Sequence, residues 1–106
     1  MRIQVLGDDT ISRQARTYAE YRVFAALTQG AGAERLQDAR VVLRRANGRG
    51  DGAGVTCRIT VTVAGSNPMR VRTTGDHPYA AINRAVEHLR RAGTSERIEW
   101  EVVESG

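Results

Sequence analysis

Residues 55–63, VTCRITVTV, alternate without a break: Val55, Cys57, Ile59, Val61 and Val63 against Thr56, Arg58, Thr60 and Thr62. Successive side chains of an extended chain point to opposite faces, so the stretch predicts a strand with one apolar and one polar side. A sheet built on it buries one face and leaves the other in water, and the buried face needs a covering layer. The flanks supply partners. Residues 39–46, ARVVLRRA, place Ala39, Val41 and Leu43 on one side, and 47–54, NGRGDGAG, read as a hairpin loop with four glycines in eight positions. Gly65-Ser66-Asn67-Pro68 predicts a turn, and 69–73, MRVRT, returns as another strand. Three consecutive strands on short loops make an antiparallel meander.

The covering layer comes from two helical stretches. RIQVL at the start alternates like a strand, and Gly7-Asp8-Asp9 turns the chain. Thr10 or Ser12 can cap a helix in which Ile11, Ala15, Tyr18, Ala19, Val23, Ala26 and Leu27 recur at helical spacing, ending at Gly30-Ala31-Gly32. In GDHPYAAINRAVEHLRR, residues 75–91, the stripe Tyr79, Ile82, Ala85, Val86 and Leu89 predicts a second helix. Pro78 sets its boundary at His77, Asp76 is the expected capping side chain, and Gly93 closes it. IEWEVV, 98–103, alternates again and predicts a fifth, C-terminal edge strand, either within the chain or against another subunit.

The order is β-α-β-β-β-α, an α+β sandwich with both helices on one face of a four-stranded sheet. The first strand reaches the second through a helix, which favours a parallel, right-handed crossover. Residues 1–95 form the domain, and 96–106 an acidic strand-like extension. At 106 residues one core suffices without cross-links. The single cysteine, Cys57, leaves no disulfide framework and is expected to be a small buried residue of a cytoplasmic protein. MRIQVLGDD lacks the apolar stretch of a secretory signal.

All sixteen basic residues are arginines, and residues 1–95 hold fifteen of them against eight acidic residues. Residues 96–106 hold one arginine and four glutamates. A basic body with an acidic end points to a polyanionic partner, with nucleic acid first. The alternation turns Arg40, Arg44, Arg58, Arg70 and Arg72 onto the open sheet face among Thr56, Thr60 and Thr62. Arginine suits phosphate because its planar fork donates two bonds to one group, although such a face also simply keeps a sheet soluble.

Enzymatic chemistry finds no support. His77 and His88 have no cysteine or carboxylate at ligand spacing, so no metal site is expected, and no cofactor either. The glycines of 48–54 join strands, whereas phosphate-binding glycine motifs lead into a helix. None of the five aromatic residues falls on an outward sheet position, so recognition through phosphates and shape fits better than base stacking.

The element order, together with Gly75, Asp76, Tyr79, Ala81, Ile82 and Asn83 opening helix 2 and Leu89 after them, resembles the ribosome hibernation promoting factor and ribosome-associated inhibitor family. The members are also called sigma-54 modulation proteins. The resemblance covers roughly residues 1–92. It implies a double-stranded-RNA-binding-domain-like fold in the mRNA and tRNA channel of the small ribosomal subunit, blocking translation in slow growth or stress. By position it makes Arg84, His88 and Arg91, with Arg90, the RNA-contacting residues of helix 2. Arg13, Arg16 and Arg22 are their counterparts on helix 1, and Arg58, Arg70 and Arg72 add the sheet face. The family pattern continues helix 2 for one or two basic turns, whereas Ala92-Gly93-Thr94 stops it here and the tail is acidic. The apolar run Val23-Phe24-Ala25-Ala26-Leu27 and the acidic tail support an alternative, a protein-interaction module that homodimerises through the C-terminal strand and the end of helix 1, covering Phe24 and Trp100.

Overall fold

The computed structural model describes residues 1–29, 33–45, 54–93 and 101–103. In chain order these form β1 (Arg2–Gly7), α1 (Arg13–Thr28), a 3-10 turn (Ala33–Arg35), β2 (Leu36–Arg45), β3 (Val55–Val63), β4 (Met69–Gly75), α2 (Pro78–Gly93) and β5 (Glu101–Val103). The sheet order is β1-β2-β3-β4-β5. The pairs β1/β2 and β4/β5 are parallel, and the meander β2-β3-β4 is antiparallel. The sandwich expected from the alternation is therefore present. Its C-terminal strand joins its own chain, with Arg70 opposite Glu101 and Arg72 opposite Val103.

Two strands are longer than their apolar patterns suggested. β2 starts at Leu36, because a register shift between Leu36 and Asp38 lets the ladder continue past Ala39. β4 runs on to Gly75, which faces Val55. The turn between β3 and β4 has Gly65 at φ 75°, a left-handed conformation that suits glycine, and Ser66 N–H donates to the Val63 carbonyl at 3.2 Å. The end of helix 1 at Gly30–Gly32, nearly all of the expected 47–54 loop, and residues 94–100 and 104–106, Trp100 included, lie outside the described residues.

The core lies between the sheet and the helix layer. Ala39, Val41, Leu43, Val55, Cys57, Ile59, Val61, Val63, Met69 and Val71 come from the strands, and Ile11, Ala15, Ala19, Val23 and Leu27 from the α1 segment. The four-residue repeat of α1 buries Ala15 and Ala19 completely, small side chains that let neighbouring elements pack close to the helix. Ser12 caps α1, its Oγ accepting from Ala15 N–H at 3.1 Å.

Burial pushes the Cys57 thiol up to about 12 from an ordinary 9.0. Only the thiolate is nucleophilic, so Cys57 should resist alkylating reagents at pH 8 until the chain unfolds. Labelling at the rate of a free thiol in native buffer would show that the site is open. Between pH 9.0 and about 12 the unfolded chain releases a proton that the folded chain keeps, so stability falls as pH rises through that window.

Helix α2 differs from expectation at two positions, and both bear on the site. Its buried side chains are Ala81, Ile82, Ala85, Val86 and Leu89, whereas Tyr79 is exposed. The stripe thus starts at Ala81 instead of Tyr79, because the first turn lies against Gly75 of β4, where a Cβ would meet the Ala80–Ala81 backbone. The capping side chain is His77 rather than Asp76: its Nδ1 accepts from Ala80 N–H at 3.3 Å while its carbonyl accepts from Ala81 N–H at 3.2 Å. Pro78 then occupies the first helical position, where a missing N–H does no harm.

Candidate nucleic-acid interface

The open face of the sheet is basic, as the alternation indicated. Cross-strand register arranges it in rows. One row runs Gln4, Arg40, Thr60 and Arg70, and the next Leu6, Val42, Arg58 and Arg72. Arg40, Arg44, Arg58, Arg70 and Arg72 are all exposed. Arg58 and Arg72 stand directly opposite one another, an arrangement of like charges that weakens a sheet. An anion laid across the pair would remove that repulsion.

The helix layer carries a second basic surface on the other side of the molecule. Arg13 is exposed on α1, with Arg16 and Arg22 half-buried, and α2 exposes Arg84, Arg90 and Arg91 with His88 half-buried. The candidate residues therefore fall into two groups separated by the sheet: the helix group, and Arg58, Arg70 and Arg72. One flat RNA segment cannot touch both.

The junction of α1 and α2 explains the resemblance motif. The Tyr18 hydroxyl donates to Asn83 Oδ1 at 2.7 Å, and Tyr18 meets Tyr79 edge-on with centroids 5.0 Å apart. The Arg22 guanidinium lies 5.9 Å from the Tyr18 ring centroid, a cation–π distance, and its Nε is buried without a hydrogen-bond partner. Arg84 donates to the Thr74 carbonyl at 2.8 Å, at the end of β4. Gly75, Tyr79, Ala81, Ile82 and Asn83 are thus packing residues that fix how α2 sits on α1 and β4. Arg84 adds a structural bond to whatever its remaining donors do.

Several contributors escaped the reading of the sequence. Arg2, Leu6, Val42 and Thr74 also lie on the open sheet face. The signal for Arg2 and Leu6 was present, since Ile3 and Val5 turn inward. Arg45 lies at the same end of the sheet and donates to the Thr10 carbonyl at 3.4 Å. Nearby, Asp8 accepts from both the hydroxyl and the N–H of Thr10. These bonds, the hydroxyl first, hold its carboxyl below the usual 3.8, with help from Arg45 and Arg44. Any stability Asp8 contributes is present above pH 3.8 and is lost as pH falls below it.

Among the described residues there is no group of three His, Cys, Asp or Glu side chains that could hold a metal ion. Among them, too, no helix is long and apolar enough to cross a membrane.

No curated protein matches the chain. A ribosomal subunit interface protein from Coxiella burnetii shares the fold with a TM-score of 0.69 at 16% identity, over 89% of this chain and 94% of that one. The family described as sigma 54 modulation protein / S30EA ribosomal protein matches residues 3–92, from β1 to the last turn of α2. That span contains both basic surfaces and the whole Gly75–Asn83 junction, and the chain belongs to this family of non-enzymatic, ribosome-associated modulation proteins.

Proposed function

We propose that the protein is a cytoplasmic RNA-binding protein that modulates or inhibits translation by occupying the mRNA and tRNA channel of the small ribosomal subunit. The match of residues 3–92 to a ribosomal protein family carries this reading. The helix layer supplies the contacts: Arg84, His88, Arg90 and Arg91 from α2, and Arg13, Arg16 and Arg22 from α1. Arg58, Arg70 and Arg72 face the opposite wall of a channel that encloses the domain. No bond is made or broken; the effect is exclusion, and ribosomal RNA phosphates supply the attraction.

Competition tests the channel directly. Small subunits saturated with the protein should bind mRNA and initiator tRNA more weakly, and excess tRNA with mRNA should displace the protein. Simultaneous, undiminished binding of all three would place it elsewhere on the particle.

A second reading is favoured by one observation. Tyr21 is 69% exposed and Phe24 51% exposed on the outer side of α1, where a soluble helix usually carries polar groups. On this reading the fold is a homo-oligomerisation module, and light scattering would find a dimer without RNA affinity that deletion of 96–106 dissociates. The tail strand pairs within its own sheet, so any such contact runs through α1 or the outer edge of β5.

A further inference from the structure

The row of Leu6, Val42, Arg58 and Arg72 does more than make the sheet face basic. It forms part of the floor of an open basin of about 780 Å³ at the end of the sheet where β1 leaves toward α1 and β2 toward β3. The size falls within the usual range of small-ligand sites, about 300–1,000 Å³. The lining divides in two. Leu6, 46% exposed although it is a leucine, and Val42 make an apolar patch on the β1/β2 side. Arg44, Arg58 and Arg72 stand over the β2–β4 side. Among the described residues of the lining the only acidic side chain is Asp8, which is engaged by Thr10 and faces Arg45 and Arg44.

We infer that this basin is a nucleotide site: the apolar patch takes the flat face of a base, and Arg58 and Arg72 share its phosphate. Two arginines set opposite each other cannot neutralise one another, and a phosphate between them accepts from both forks. A bare inorganic anion would leave Leu6 and Val42 in water. A purely apolar ligand would leave the arginines repelling. A phosphate joined to a base satisfies both halves. The source is either a free nucleotide or one unpaired nucleotide of an RNA strand, since the chemistry presented is the same. The site lies on the side of the sheet away from α1 and α2, so nucleotide binding by the isolated protein does not depend on the helix layer.

The test is amide chemical-shift titration of the full chain with four probes: adenosine 5′-triphosphate, adenosine, inorganic phosphate and a single-stranded oligoadenylate of six nucleotides. Shifts at Leu6, Val42, Arg44, Arg58 and Arg72 with the triphosphate, and weaker ones with adenosine or phosphate alone, support a free-nucleotide site. The same shifts with the oligonucleotide but not the triphosphate support a site for one unit of a strand. Arg58→Gln with Arg72→Gln should weaken either interaction at least about tenfold, because two charge-assisted bonds are lost. The same pair of changes should leave the melting temperature unchanged or raised, because a like-charge pair is removed. Leu6→Ser should weaken nucleotide binding while leaving phosphate binding alone. Shifts confined to α1 and α2, equal affinity for phosphate and triphosphate, or full binding by the double variant would each overturn the assignment.

Discussion

Gly75→Ala should destabilise the domain by about 3 kcal/mol, the upper part of the range for forcing an extra group into a packed interior. A Cβ built on Gly75 would lie 2.6 Å from the Ala81 nitrogen and 2.9 Å from both the Ala80 carbonyl carbon and the Ala80 Cβ. Two of these three atoms are backbone, so no rotamer change relieves the overlap. The helix cannot simply retreat. Ala81 and Ile82 are fully buried, and Thr73, itself buried, donates from its hydroxyl to the Ala81 carbonyl at 2.7 Å. Moving α2 outward would stretch that bond, the Arg84–Thr74 bond and the Tyr18–Asn83 bond together. For a domain of this size the melting temperature should fall by about 10–20 °C. Gly65→Ala is the control: nothing lies within 4 Å of its Cβ position, and only its left-handed φ opposes the change, at about 1–2 kcal/mol. Urea unfolding of both variants decides the matter. A Gly75→Ala protein as stable as the parent would mean that α2 does not approach β4 as described.

The second large effect is on binding. Arg84→Gln combined with Arg91→Gln should weaken association with small ribosomal subunits and flatten its dependence on salt. Each phosphate contact contributes about 0.7–0.9 to the slope of log affinity against log salt. Losing two should therefore lower the slope by about 1.4–1.8, and the affinity deficit should be greatest at low salt. Glutamine is the appropriate replacement at position 84 because it keeps a donor for the Thr74 carbonyl, which alanine would leave without its partner. The variant should melt close to the parent. An unchanged slope would mean that the helix layer is not the RNA-contacting surface, and the same substitution pair on the sheet, Arg58 with Arg72, would become the better test.

How much of this was legible in the sequence depends on the period of each segment. The strict alternation of 55–63 specified a strand, its inward face and its outward Arg58, and the β2/β3/β4 register follows it apart from the shift at Leu36/Asp38. Helix α1 was legible because its core positions Ala15, Ala19, Val23 and Leu27 repeat every four residues, although Ile11, which continues the repeat and is buried, precedes the Ser12 cap and lies outside the helix. The start of α2 was not. A tyrosine at 79 reads as a core residue by size and spacing, yet the first turn lies against Gly75 with Ala81 buried, and the Tyr79 ring is exposed and meets Tyr18. His77 as cap was equally hidden, because a short acidic side chain at 76 is the commoner capping group.

The candidate site was legible in composition and not in arrangement. Counting arginines identified the chain as basic, and alternation placed five of them on the open face. The division of the RNA candidates between opposite sides of the molecule follows from reading both helices onto one face; what the sequence did not show is which of those arginines, such as Arg84, is held by a structural bond. The basin at Leu6 and Val42 was hidden for another reason. It joins β1 to β2 across a parallel pairing whose register, Leu6 opposite Val42, depends on where the crossover helix returns the chain.

The central claim, that this family member works on the ribosome, is tested most directly by sedimenting extracts of slowly growing cells through a sucrose gradient at low salt and following the endogenous protein. It should travel with the small subunit and the particles that contain it, and should move to the top of the gradient as salt is raised. Its absence from every ribosomal fraction at low salt would contradict the account.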